Sequence, residues 1–263
     1  VADTVNIVGV DLTGETVASV TNLVTSNLST TDVTNLTVST GAGAAAITAD
    51  ADAATVTVSG IDKNSTSITL SAAAVDLDIS GTADTANDAV SISAVGAVDL
   101  DTTDGGQAVE KLTLSGNGAA VTYTITNGTA ANNTYTVTGS QDVTLAGAGN
   151  QFTTAAFSDS STAGSTTLAL SASSGATVDV SLWGALSGGI ELTGDYGAQT
   201  LMAASGNTIK VSADQTGAIT LDTNDGATSS SLTLDIDNDT VGITTADVDS
   251  LTIDTGTRAT TIG

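Results

Sequence analysis

The sequence predicts an all-β protein. Within that class it points to a parallel β-solenoid, with antiparallel β-sandwich domains as the alternative. Three observations carry this. Apolar and polar residues alternate with period two: in the 232–240 stretch Leu232, Leu234 and Ile236 fall on one face of a strand, and Thr233, Asp235 and Asp237 on the other. The 263 residues include no proline, where average usage of about 5% would place about a dozen. Proline cannot donate to a strand ladder, so its absence fits segments paired on both sides. Finally, 40% of residues are hydrophobic but only 2% aromatic. A core of Val, Leu, Ile and Ala is narrow, because no large rings fill a wide space.

Taken in order, strands are expected over 5–10, 20–25, 33–40, 54–59, 67–71, 75–79, 89–93, 97–101, 109–115, 120–126 and 133–138. They continue over 142–146, 166–171, 177–182, 189–193, 208–212, 218–222, 231–237 and 250–254, separated by Gly, Asn, Asp and Ser. The Ala-rich 41–54 stretch is the best place for a short helical turn. Asn127-Gly128 suits a hairpin with a long loop. A loose repeat, V-x-x-L, begins at Val20, Val33, Val109 and Val248. Strands recurring every 8–14 residues or so fit either a sandwich or a solenoid with two or three strands per turn. The chain reads as one elongated β-domain, 1–263, with a seam or insertion at 147–165, where alternation fades around Phe152 and Phe157.

Charge narrows the possible partners. The formal net charge is −25, from 29 acidic and 4 basic residues. Nucleic acid is not expected as a partner, since counterion release needs clustered Lys or Arg. No run of 18 apolar residues offers a membrane span. Self-repulsion opposes compaction, and divalent cations or high salt would relieve it. With no His and no Cys, disulfides, thiolate chemistry and His general bases are excluded. Carboxylate pairs are the remaining catalytic chemistry, as in polysaccharide-active solenoids. One Trp, Trp183, and three Tyr leave little for a sugar platform, so no enzymatic role is expected. Thr-x-Thr in 121–126 and 135–138 is the pattern of a flat hydroxyl row, which an ice-binding surface would use. Trp183, Phe152 and Phe157 are expected as core or contact plugs. A start at Val1 without a leader suggests a processed or excised piece of a longer protein.

Calcium is the expected cofactor. It takes six to eight oxygen ligands from carboxylates and carbonyls. The candidates are Asp76 with Asp78; Asp99 with Asp101 and Asp104; Asp222 with Asp225; Asp235 with Asp237 and Asp239; and Asp247 with Asp249. Asp235-x-Asp-x-Asp239 begins like an EF-hand loop, but Thr240 stands where that loop needs Gly and Ala246 where it needs Glu. Three carboxylates on one straight strand cannot enclose an ion, so any further ligands must come from neighbouring coils or subunits.

Val109-Glu-Lys-Leu-Thr-Leu-Ser-Gly116, with the Thr/Asp/Ala/Gly-dominated composition and the absence of Cys, resembles the repeat region of bacterial surface-layer proteins exported by type I secretion, the RTX-like extracellular structural proteins. The resemblance implies a secreted, cell-surface subunit that self-assembles into a calcium-dependent lattice or filament. The chain departs from the family in lacking the G-G-x-G-x-D-x-U-x nonapeptide; Asp104-Gly-Gly106 is a fragment of it. An adhesin stalk or passenger that binds a surface or a cell-surface polysaccharide is the alternative.

Overall fold

In a computed structural model the chain is nearly all β and forms a parallel β-solenoid. The structure describes residues 7–11, 17–23, 27–40, 44–61, 66–81, 88–102, 109–127, 134–153, 155–172, 177–223, 230–236 and 242–254. It divides into two compact units, Val1–Val143 with Ser160–Gly164, and Thr144–Asp159 with Ser165–Gly263.

The first unit runs β1 (Ile7–Asp11), β2 (Val17–Leu23), β3 (Asn27–Thr31), β4 (Asn35–Thr40), β5 (Ala46–Ala49), β6 (Thr55–Ile61) and β7 (Thr66–Leu70). It goes on through β8 (Ala74–Gly81), β9 (Ala89–Ala94), β10 (Ala97–Asp101), β11 (Lys111–Gly116), β12 (Val121–Asn127) and β13 (Thr134–Gly139). Each strand pairs with the strand two further on, so odd strands form one parallel sheet and even strands another. One coil therefore holds two strands. β14 (Val143–Ala148) and β15 (Ala156–Ser161) follow. The second unit repeats the scheme. Its even strands are β16 (Thr166–Ser171), β18 (Gly189–Leu192), β20 (Thr208–Val211), β22 (Ser231–Ile236) and β24 (Ser250–Asp254). Its odd strands are β17 (Thr177–Val180), β19 (Thr200–Ala203), β21 (Ala218–Asp222) and β23 (Gly242–Ala246).

The core follows from the period-two pattern. Leu36, Val56, Leu77 and Leu100 stack in register from β4 to β10, and all are fully buried. Ile47, Ile68, Ile92 and Leu114 do the same in the odd sheet. Like meets like because a parallel ladder places each residue beside its counterpart one coil away. Tyr123 spans the narrow core from β12: its buried hydroxyl donates to the carbonyls of Ile92 (3.1 Å) and Ser115 (2.8 Å) in the opposite sheet. Burial pushes that phenol well above the usual tyrosine range. The V-x-x-L repeat also has a physical meaning. Val33 and Val109 lie buried at the corners two residues before β4 and β11, and Leu36 and Leu112 are the first inward residues of those strands.

The structure resolves the choice of fold class and corrects some local expectations. Every described strand pair is parallel, which excludes the antiparallel sandwich. The 41–54 stretch holds no helical turn in its described part. It forms β5 and a tight turn at 51–52, with Ala45, Ile47, Ala49 and Ala53 facing in. Ladder pairing to β3 and β7 overrides alanine's helix propensity. Asn127-Gly128 does not make a hairpin: β12 pairs with β10 and β13 with β11, in different sheets. Strands β3, β5, β15, β19 and β23 come in addition to those expected.

Candidate functional site

Val75, Leu77 and Ile79 point inward from β8, so Asp76 and Asp78 must point outward. β10 repeats the pattern with Val98 and Leu100 inward. The register then decides the chemistry. Asp99 pairs with Asp76 and Asp101 with Asp78. Four carboxylate-bearing positions thus occupy the corners of a rectangle about 4.8 Å by about 7 Å, the strand spacing and the two-residue rise. Asp76 and Asp99 are exposed; Asp78 and Asp101 are half-buried. Hydroxyl residues border the block, with Thr55 and Thr57 of β6 on one side and Thr124 of β12 on the other. Like charges directly opposite one another in a ladder are destabilising, and a cation between the rows relieves them.

The other predicted ligands have different surroundings. Asp235 of β22 has Lys210 of β20 on one side and Asp254 of β24 on the other, and Lys210 in turn pairs with Glu191 of β18. This row reads acid, base, acid, acid, so Asp235 faces a cation on one side and a carboxylate on the other. Glu191 also accepts a hydrogen bond from the Ser212 hydroxyl at 2.5 Å. Asp222 of β21 sits between Met202 and Ala246, with no second carboxylate in register. Asp104, Asp225, Asp237 and Asp239 lie outside the described residues. Among the described residues, no group of three or more His, Cys, Asp or Glu comes together so as to hold a metal ion. The rectangle is a ladder of adjacent pairs rather than a closed cage.

Other carboxylates cap corners. Asp249 accepts from the Ser230 amide at 2.9 Å, Asp50 from the Val33 amide at 3.2 Å, and Glu110 from the Asp88 amide at 2.9 Å. Asp195 accepts from the Thr216 hydroxyl (2.6 Å) and from the amides of Gly197 (2.8 Å) and Thr216 (3.1 Å). Those bonds, the Thr216 hydroxyl first, hold its carboxyl below the usual aspartate range. The second unit adds buried amides at its corners. Asn207 accepts from the Leu186 amide (2.9 Å) and donates to the carbonyls of Gly184 (2.8 Å) and Ala204 (3.0 Å). Gln215 accepts from the Tyr196 amide (2.5 Å) and donates to the carbonyls of Gly194 (3.0 Å) and Ala213 (2.7 Å). No periodic signal marks these two residues in the sequence.

Trp183, Phe152 and Phe157 belong to the second unit's packing. Trp183 and Phe152 are buried edge-to-face at 5.5 Å, and Phe157 stacks on Trp183 at 4.5 Å. The two Thr-x-Thr stretches do not form one row, because β12 and β13 belong to opposite sheets. Among the described residues no helix is long and apolar enough to cross a membrane. The chain matches no protein-family model, no curated protein and no solved structure.

Proposed function

We propose that this chain is a non-enzymatic, extracellular structural subunit that associates with copies of itself into a surface lattice or filament, with Ca²⁺ bridging its outward carboxylates. The observation that carries this reading is the in-register rectangle of Asp76, Asp78, Asp99 and Asp101. A chain carrying −25 that nevertheless stacks like charges between adjacent coils has its charge relieved when cations are plentiful. Two neighbouring carboxylates supply at most about four of the six to eight oxygens that calcium takes. Water or a second chain supplies the rest, which couples metal binding to association. The short side chains, together with the absence of His and Cys from the sequence, suit a scaffold better than a catalyst.

The test is a titration of the purified chain with Ca²⁺ and then EGTA, followed by light scattering. Reversible assembly is expected, and Asp76→Asn with Asp99→Asn should raise the calcium midpoint several-fold. A chain that stays monomeric at every calcium concentration sinks the proposal. Glycan binding by that monomer would replace it with the adhesin stalk.

A further inference from the structure

The first unit carries two unlike outward faces. Its even strands bear the carboxylate rectangle. Its odd strands bear hydroxyls. In β3 to β11, Ser29, Thr48, Thr69, Ser93 and Ser115 stand in register, one per coil. A second column runs through Ser67, Ser91, Thr113 and Thr136. Their inward neighbours Ile47, Ile68, Ile92 and Leu114 fill the core, and the side chains of these two columns stand on the outer surface, exposed or half-buried, whereas Thr30 and Thr66 of the same strands are buried. The rows lie about 4.8 Å apart and the columns about 7 Å. Among the described outward residues of the odd strands from β3 to β13 there is no carboxylate, and Lys111 is the one charge.

We infer that this hydroxyl face is where a second copy of the chain packs side by side in the assembly, an inference that rests on the self-association proposed above. Three arguments favour a copy over another occupant. Two chains that each carry −25 repel least where neither presents a carboxylate. The hydroxyl rows repeat at a spacing set by the backbone ladder, and a second copy has that same spacing, so each row meets a row. Ser and Thr hydroxyls both donate and accept, so two identical faces satisfy each other without complementary charge. Their small size also lets two sheets approach to about 10 Å, the ordinary face-to-face distance.

The test uses the full chain at saturating Ca²⁺. Ser91→Glu with Thr113→Glu places two charges on the hydroxyl face. Thr208→Glu with Thr233→Glu places the same two charges on outward positions of the second unit's even strands. Sedimentation velocity is expected to show about a tenfold loss of assembled material for the first pair and wild-type assembly for the second. Equal assembly of the two pairs overturns the inference. So does binding of wild-type chain to a crystalline polysaccharide that the first pair abolishes while assembly persists. A wild type that never assembles overturns the function proposed above instead, so the two failures are distinguishable. Since the sequence has no Cys, a single-cysteine reporter guards against misfolding of the charged variants. Thr113→Cys should react with maleimide about tenfold more slowly after assembly, and Thr233→Cys at an unchanged rate. Equal rates for Thr113→Cys before and after assembly refute the contact.

Discussion

The two units use the same strand pattern and reach different electrostatic results, although Asp235 of the second also has Asp254 beside it. In the first, Asp76 meets Asp99 and Asp78 meets Asp101. In the second, Lys210 stands between Glu191 and Asp235. Locally Ala97-Val-Asp-Leu-Asp101 and Leu232-Thr-Leu-Asp-Ile236 differ little: each sends aliphatics inward and acids outward. What separates them is the residue one coil away. The lesson is that in a parallel solenoid the charge environment of a strand belongs to the stack rather than to the strand. The units differ inside as well. The first is joined by mostly aliphatic columns with Tyr123 and Tyr135 set into them, whereas the second adds the Trp183 cluster and the corner amides of Asn207 and Gln215.

The largest effect should come from breaking an aliphatic column. Leu77 is fully buried between Val56 and Leu100. Leu77→Ala should cost about 2–5 kcal/mol, since the rigid ladders on both sides limit collapse of the cavity. Denaturant titration combined with hydrogen exchange should place that loss in β6 to β10 of the first unit. A loss spread evenly over every strand would contradict this placement.

Asn207→Ala is the counterpart in the second unit. It leaves the Leu186 amide and the carbonyls of Gly184 and Ala204 without their side-chain partner. The expected cost is about 1–3 kcal/mol, with faster exchange at the Leu186 amide. If unit two lost nothing, the corner amides would not be what distinguishes it.

The electrostatic contrast should be smaller and reversible by sign. Lys210→Glu turns the second unit's row into four acids and should destabilise it by about 1 kcal/mol or less at low salt. Asp99→Lys gives the first unit the alternation it lacks and should stabilise it by a similar amount. Both changes should shrink as ionic strength rises. The readout is the melting temperature at low and high salt. Shifts of the same sign in both variants would refute the role given to register.

These contrasts also mark what could be read from the sequence. Fold class followed from local facts, since alternation at Val75-Asp-Leu-Asp-Ile79 and the absence of proline are properties of neighbours in the chain. Stacking is not such a property. Coil length varies, with partners 19 residues apart at Ile190↔Ile209 and 25 apart at Leu100↔Ile125. No fixed period therefore tells which acid lies beside which. The pairing of Asp76 with Asp99 and the lysine beside Asp235 emerge only from the register. The added strands have a related cause. β5 is Ala-Ile-Thr-Ala and β3 is Asn-Leu-Ser-Thr-Thr, too short and weakly apolar to stand out, and the ladders on either side make them strands.

The smallest effect concerns a carboxylate that caps a corner rather than lining the ladder. Three hydrogen bonds hold the Asp195 carboxyl below the usual aspartate range. A carboxyl whose acidity is stronger folded than unfolded stabilises the fold while it is ionised. That contribution is complete above the unfolded value and is lost as pH falls through the folded one. Asp195 is only half-buried and open to solvent screening, so the effect is slight. Asp195→Asn should lower the second unit's melting temperature slightly at neutral pH, and the difference from wild type should vanish once acid has protonated the folded carboxyl. The first unit supplies the control. Neutralising its ladder through Asp76→Asn should raise stability at neutral pH, because that carboxylate faces another carboxylate instead of amide donors. Opposite signs for the same chemical change would show that the acids of this chain divide into corner caps and ladder charges. Equal signs would erase that division.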